Sequence, residues 1–357
     1  MISWLLPAAL FIVAAWSALR FLPAGAEASG ALPYLIALAP LLWIPAGAIT
    51  VWSLAAQQWW MACVSSVITA LIAAVEWRAY RRNAAAAGNG ARNAAAQHTA
   101  AIAHERGDVI QVMTLNCRYG RADPQAIMDA VRNEHIQVLA LQELTEDLVR
   151  RLGGMGLNKA LPYHSIGAPG SDDNGGFNGI WSAFAPLRTD VAALSIPGAE
   201  VPCLTIAADA VHNAAALGRS GDDDDAGVAP AITEGSDTIR FFSAHPKSPM
   251  RGTRQWSTGV TRLAQLRSSS PHEASVIMGD LNSHIDHPSF RHVLAAGFRD
   301  ANRCARSGPV ATFPRLLPWP RIELDHILAD HSVAISHTRT HTIPGSDHLA
   351  LAATLHV

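Results

Sequence analysis

Short apolar runs in the later part of this chain stop repeatedly on an acid, an amide or a histidine. Asn116 closes VMTLN and Glu143 closes VLALQE; His245 follows FFSA, Asp280 and Asn282 sit in MGDLN, and Asp347 and His348 end PGSDH. Carboxylates can order a water or hold a cation, amides can donate to a developing negative charge, and a histidine can carry a proton near neutral pH. Loops on a rigid scaffold are where such chemistry gathers. Each residue alone has an ordinary explanation. Asn116 and Asn282 suit turns, Gly279-Asp280 reads as a plain turn, Glu143 could cap a helix, and a lone histidine is usually structural. Seven such residues, in five separate stretches, point instead to one site. SHIDHPSFRH also brings His284, His287 and His292 together, but without the cysteines or HExxH pattern of a zinc site. It reads as the loop and helix start that follow GDLN.

The elements that must position these residues are short strands and amphipathic helices. Val109–Leu115 reads as a buried strand ending at Asn116, and Gln137–Gln142 as the next, ending at Glu143. Between them, Ile127, Met128 and Val131 have helical spacing over Pro124–Asn133. Further strands are expected at Gly179–Ser182, Cys203–Ala207, Ile239–Ala244, Ser275–Met278, Asp325–Leu328 and Ala350–His356, with helices at Thr253–Ser268 and Pro288–Ala296. This pattern suggests two sheets packed face to face with helices outside. Residues 208–237, which contain the aspartates 222–225, have no periodicity and read as a flexible acidic insertion.

The front third has a different texture. The chain is only 16% charged, against about 25% for an ordinary soluble domain. No charged residue occurs from Met1 to Leu19 or from Ala28 to Val75. A helix crosses the hydrocarbon layer with about 20 apolar residues, so three membrane helices are expected near Ile2–Leu19, Leu32–Ser53 and Trp59–Trp77. Arg20, Arg78, Arg81 and Arg82 then fall on one face, which the positive-inside rule makes cytoplasmic. Cleavage of the first segment as a signal peptide would reverse that orientation, although it lacks a basic n-region. The expected organisation is a membrane unit at 1–82, an Ala-rich linker at 83–107 and a catalytic domain at 108–357. Cys63, Cys117, Cys203 and Cys304 show no CxxC pairing and suggest neither a disulfide framework nor a zinc ribbon. From Gly107 onward there are 21 basic and 26 acidic residues, a net charge of −5, which is a poor match for neutralising nucleic-acid phosphates.

In this order, TLNCR, LALQEL, SAHPKSP, MGDLNSH, ELDHIL and PGSDH resemble the motifs of the endonuclease/exonuclease/phosphatase superfamily. That group includes nucleases, sphingomyelinases and inositol-polyphosphate phosphatases. Thr312-Phe313-Pro314 followed by Pro320-Arg321-Ile322 is similar to the pattern of bacterial, often membrane-anchored members. The resemblance implies an α/β fold, a four-layer α/β sandwich with the site at one rim of its two sheets. It implies a divalent metal, Mg²⁺ or alternatively Mn²⁺, at Glu143, with Asn116 beside it and Asp347 as a second acidic position. By the same resemblance, Asp280 aligns or deprotonates the attacking water and Asn282 holds a phosphate oxygen. His348, oriented by Asp325, contacts the phosphate, and His245 lies near the leaving group. The general base is left open among these. Relatives often carry Arg-Ile-Asp contiguously, whereas here Glu323 and Leu324 separate Ile322 from Asp325.

The expectation is a membrane-anchored, metal-dependent phosphoesterase acting on a phosphodiester. Lipid or small-molecule substrates suit the low net charge and the apolar helices. A tethered nuclease acting on DNA or RNA is the alternative, and it would need a basic groove with stacking aromatics. A decayed, non-catalytic membrane module is a second alternative, opposed by the survival of Glu143, Asp280, Asn282, Asp347 and His348. Transport by the helices is opposed by their lack of internal charge.

Overall fold

The computed structural model describes residues 4–89, 109–168, 176–217, 237–305 and 310–357. The apolar front third forms α1 (Leu5–Ala18), α2 (Leu32–Ala37), α3 (Trp43–Ala55) and α4 (Trp59–Asn89). Among the described residues no helix is long and apolar enough to cross a membrane. This corrects the expectation of three transmembrane helices, for reasons visible in the backbone. The 14 residues of α1 span about 21 Å, short of the roughly 30 Å hydrocarbon layer. Pro40 divides the second apolar run, in a 3₁₀ turn at Ala39–Leu41 between α2 and α3, because proline supplies no N–H to continue a helix. The sequence of α4 acquires charge from Glu76 onward. α4 also continues through residues 83–89, the start of the expected linker, and residues 90–108 lie outside the described part. Leu10 and Val13 of α1, Ala46 and Ile49 of α3, and Met61 and Ile72 of α4 pack the three longer helices together.

The rest of the chain runs β1 (Val109–Asn116), α5 (Pro124–Asn133), β2 (Val138–Leu144), α6 (Glu146–Gly154), α7 (Leu157–Ala160), β3 (Tyr163–Ile166), β4 (Phe177–Ser182), β5 (Pro186–Asp190), β6 (Cys203–Ala207) and α8 (Ala208–Leu217). It continues through β7 (Thr238–Ser243), α9 (Thr253–Arg262), β8 (Glu273–Asp280), α10 (Pro288–Ala295), β9 (Arg299–Asp300), α11 (Ala301–Cys304), β10 (Asp325–Ala329), β11 (Ala334–Thr342) and β12 (Leu349–His356). The expected acidic insertion thus begins as helix α8; its four aspartates fall outside the described residues.

Two six-stranded mixed sheets result, ordered β11-β12-β1-β2-β4-β3 and β5-β6-β7-β8-β10-β9. β1 and β2 pair in parallel, as do β7 and β8. Alternate residues of each strand serve different layers, since side chains on a strand point to opposite faces with a period of two. Ile110, Val112, Val138, Ala140, Ile239, Phe241, Val276, Met278 and Ile327 fill the space between the sheets. Met113, Leu115, Leu139 and Leu141 face outward onto Ile127, Val131, Leu148 and Leu152 of α5 and α6. Phe242, Ile277 and Leu328 face Trp256, Val260, Phe290 and Val293 of α9 and α10. Helix, sheet, sheet and helix therefore stack as an α/β sandwich.

Local chemistry sets the helix starts. The Asp123 carboxylate accepts from the Gln125 N–H at 2.9 Å with Pro124 at the first helical position, a cap and a pre-set φ together. The Thr145 hydroxyl accepts from the Leu148 N–H at 3.3 Å, ahead of Glu146 and Asp147 in the first turn of α6.

Candidate active site

The inward phase of the strands delivers most of the site. Asn116 continues the inward series Ile110, Val112 and Thr114; Asp280 continues Val276 and Met278; Asp325 shares the series of Ile327 and Ala329. Beneath them lies a polar floor between the sheets. The Thr114 hydroxyl donates to Gln142 Oε1 at 3.1 Å, and Gln142 Nε2 donates to Ser243 Oγ at 3.0 Å. All three side chains are buried, so these bonds satisfy groups that would otherwise be stranded.

Glu143 breaks the alternation. Val138, Ala140 and Gln142 point inward, so period two would send Glu143 outward. Its φ of 51° and a register shift between Leu141 and Leu144 turn it back. The resulting bulge aims the carboxylate at the rim, where Oε2 accepts from the Tyr119 N–H at 3.0 Å. His245 needs a close approach of two backbones. A Cβ on Gly279 would stand 1.9 Å from the Ala244 carbonyl oxygen, so only glycine lets β8 lie against the extension of β7.

Asn116 Nδ2 donates to Asp280 Oδ2 at 2.9 Å and to Glu143 Oε1 at 3.1 Å. His245 Nε2 lies 3.5 Å from Asp280 Oδ2 and 3.8 Å from Glu143 Oε1. His348 Nε2 lies 3.7 Å from that same Asp280 oxygen, while its Nδ1 meets Asp325 Oδ2 at 2.8 Å. Asn282, at φ 48°, donates its N–H to Asp280 Oδ1 at 2.9 Å and its Nδ2 to the Pro246 carbonyl at 3.1 Å. Seven of the eight residues singled out from sequence thus converge. The eighth, Asp347, is half-buried and faces Arg118, with its carboxylate 3.5 Å from the guanidinium.

Charge in this space is strongly perturbed. Burial works against the His348 imidazolium, but the carboxylates of Asp325 and Asp280 outweigh it and lift its pKa to about 10. The ring is therefore a cation at neutral pH. Burial raises the Glu143 pKa, opposed by His245 and the Asn116 hydrogen bond.

The residues present fit a divalent cation. Asp280 and Asp325 offer carboxylate oxygens within 4.8 Å of one another, beside the His348 ring, and the buried Asp325 Oδ1 has no hydrogen-bond partner. Oxygen donors of this kind, with Glu143 adjacent, suit a hard ion that keeps part of its water shell.

Three further groups support the site. The Thr312 hydroxyl accepts from the Asp325 N–H at 3.3 Å, the Phe313 ring packs 4.8 Å from that of His348, and the Ser346 hydroxyl accepts from the His348 N–H at 2.9 Å. Thr312 and Phe313 were visible as a motif, and Ser346 lay within PGSDH without being singled out. Glu323 lies outside the site, paired with buried Arg303 at 3.3 Å. Arg321 braces its own loop through the Arg315 carbonyl at 2.9 Å. The histidine cluster is no zinc site: both ring nitrogens of His287 are bound to backbone groups, and His292 is exposed.

Solved structures are similar in fold at low identity. A humanized D. rerio TDP2 carrying 14 mutations matches 70% of this chain and 100% of its own, with 14% identity and a TM-score of 0.51. A protein from Leptotrichia buccalis C-1013-b, described by the same family name as the matching sequence model, covers the same shares at 14% identity and a TM-score of 0.49. The Bacteroides thetaiotaomicron VPI-5482 mannosyl-6-phosphatase Bt3783 covers 69% of this chain at 14% identity and a TM-score of 0.44. No curated protein matches the sequence. The sequence model described as "Endonuclease/Exonuclease/phosphatase family" matches residues 113–348, a span that opens inside β1 and closes on His348. The chain belongs to that family.

Proposed function

We propose that this protein is a divalent-metal-dependent phosphoesterase that hydrolyses phosphodiester bonds by in-line attack of water. The carrying observation is the His348–Asp325 contact at 2.8 Å, set directly against Asp280 and the orphaned Asp325 oxygen. Asp325 fixes the His348 ring through Nδ1 and keeps it protonated, so Nε2–H can donate to a phosphate oxygen as negative charge grows. Asn282 has one N–H committed to Pro246 and a second free to do the same. Asp280 is placed to orient the water, which removes an entropic cost from attack. His245, beside Asp280 and Glu143, is the candidate proton donor to the leaving oxygen. Glu143, Asn116, Asp280 and Asp325 are the side chains that would hold Mg²⁺ or Mn²⁺. Such an ion would neutralise the phosphate and lower the pKa of a bound water.

We further propose that the substrate is a lipid or small phosphodiester and that the enzyme works against a bilayer. The helical unit exposes Trp4, Phe11, Trp43, Trp52, Trp59 and Trp60, an apolar surface of the kind that marks a membrane or protein contact. Arg78, Arg81 and Arg82, which follow Trp77 in sequence, suit the anionic lipids of a cytoplasmic leaflet.

The test is release of p-nitrophenol from bis-p-nitrophenyl phosphate by the full chain, with Mg²⁺, Mn²⁺ or EDTA, beside Asp280→Ala. Metal-dependent release lost in the variant is expected. Folded protein that binds metal yet releases nothing from this ester, from phospholipid vesicles or from DNA would sink the proposal. Flotation with vesicles of anionic phospholipid tests the membrane part, which fails if the protein stays in the pellet.

A further inference from the structure

The turn that carries Asn282 is held from outside its own domain. Helix α10 starts shortly after it, and α10 has no cap of its own because the N-cap residue, His287, makes no side-chain cap bond. The Ser289 N–H, one of the orphan donors at a helix start, instead donates to Glu27 Oε1 at 2.6 Å. Glu27 lies between α1 and α2, fully buried, and its other oxygen accepts from the Gly25 N–H at 2.8 Å. A carboxylate at a helix N-terminus is favourable on charge grounds as well.

His287 forms the second tie. Its Nδ1 accepts from the His284 N–H at 2.7 Å, so the proton sits on Nε2, which donates to the Pro33 carbonyl at 2.8 Å. One ring thus bridges the turn after GDLN and the start of α2. The same ring stands edge-on to Trp256, with centroids 4.9 Å apart, and Trp256 Nε1–H donates to the Asn282 carbonyl at 2.9 Å. Further contacts follow the same seam. Arg20 lies 3.4 Å from Asp286, Arg291 donates to the Arg20 carbonyl, and the Thr253 hydroxyl donates to the Ala28 carbonyl at 3.1 Å.

We propose that the segment Arg20–Pro33 is a positioning element for the active site, acting through Glu27 on α10 and through His287 and Trp256 on Asn282. Asn282 adopts a left-handed backbone conformation, which asparagine tolerates, and the Trp256 donor to its carbonyl adds to what holds it there. The surroundings here include the amino-terminal unit. Neither Glu27 nor Trp256 reaches the site itself, so both act at one remove. The catalytic consequence rests on the phosphodiesterase reading; the structural coupling does not.

The experiment uses the full chain, Glu27→Gln and Trp256→Phe, with hydrogen exchange followed by mass spectrometry and turnover of bis-p-nitrophenyl phosphate. In Glu27→Gln an amide N–H₂ replaces one of two acceptors, and Trp256→Phe keeps the ring while deleting the N–H donor. We expect amide exchange across residues 281–292 to quicken about tenfold in Glu27→Gln, with β1 unchanged. We also expect kcat to fall about tenfold at a KM within about twofold of wild type, the pattern of an interaction lost in the transition state alone. The double variant should fall little below the lower single one, because both lie on one path. Trp256→Phe should repeat the loss of kcat if Glu27→Gln fails to fold. Unchanged exchange across 281–292, exchange that quickens uniformly through the whole chain, or unchanged kcat despite local loosening would each overturn the proposal. Wild type inactive on every phosphodiester would overturn the function reading alone, and exchange would still decide the coupling.

Discussion

Replacing Asp325 by Asn should return His348 to an ordinary histidine. Two carboxylates face the ring, Asp325 at 2.8 Å and Asp280 at 3.7 Å. With an effective dielectric of about 20, Coulomb's law gives about 6 kcal/mol for the first contact and about 4.5 kcal/mol for the second. The lift from 6.5 to about 10 corresponds to about 5 kcal/mol, so burial takes back roughly half of the attraction. In Asp325→Asn the remaining pull of Asp280 is close to what burial removes, and the pKa should fall to the neighbourhood of 6.5. Selective ¹⁵N labelling of histidine and an NMR titration in EDTA measure this directly. The stability effect has a defined sign. A raised folded-state pKa stabilises fully below about pH 6.5, and that contribution is lost as pH rises through about 10. Wild type should therefore lose its advantage over Asp325→Asn across that window. A variant whose His348 still titrates above pH 9 would refute the reasoning, because the lift would then come from elsewhere.

Glu143→Gln should weaken Mn²⁺ binding by about tenfold or more in calorimetry; unchanged affinity would move the ion wholly onto Asp280 and Asp325. His287 is buried with its pKa pushed down to about 4, so the folded state resists its protonation. A depressed pKa gives stability that is complete above about pH 6.5 and is lost as pH falls through about 4. The melting temperature should drop over that interval by the equivalent of about 3 kcal/mol, and His287→Gln should flatten the drop; an equally steep drop in the variant would place the acid sensitivity at another group.

Strand ends were legible because a continuous apolar run stops on a polar residue, as at Asn116, Glu143 and Asp280. Which face each side chain takes was not legible, because strands buried on both faces show no alternation. Asn116, Asp280 and Asp325 follow the inward phase, whereas Glu143 reaches the site only through a left-handed residue. β3, β5, β9 and β11 were missed. β11 reads AISHTRTHT and lies at a sheet edge with much of its length exposed, so it lacks the apolar run that marked the central strands. α6 was also missed, although Thr145 and the acids after it form a recognisable helix start. Hydropathy overstated the front third, because absence of charge registers neither Pro40 in the second run nor the shortness of α1. The ties from Glu27 and Pro33 to α10 had no sequence signal at all, since they join residues more than 250 positions apart.

The polar floor of Thr114, Gln142 and Ser243 acts like a dowel between two boards. Catalytic groups come from both sheets, so their separations depend on how one sheet sits over the other, and apolar side chains between them resist sliding only weakly because such contacts have no preferred direction. Directional hydrogen bonds through Gln142 fix the offset. Asn116 and Glu143 on one board are thereby kept in register with Asp280 and His245 on the other, and the precision of the site is set one layer below the residues that perform the chemistry.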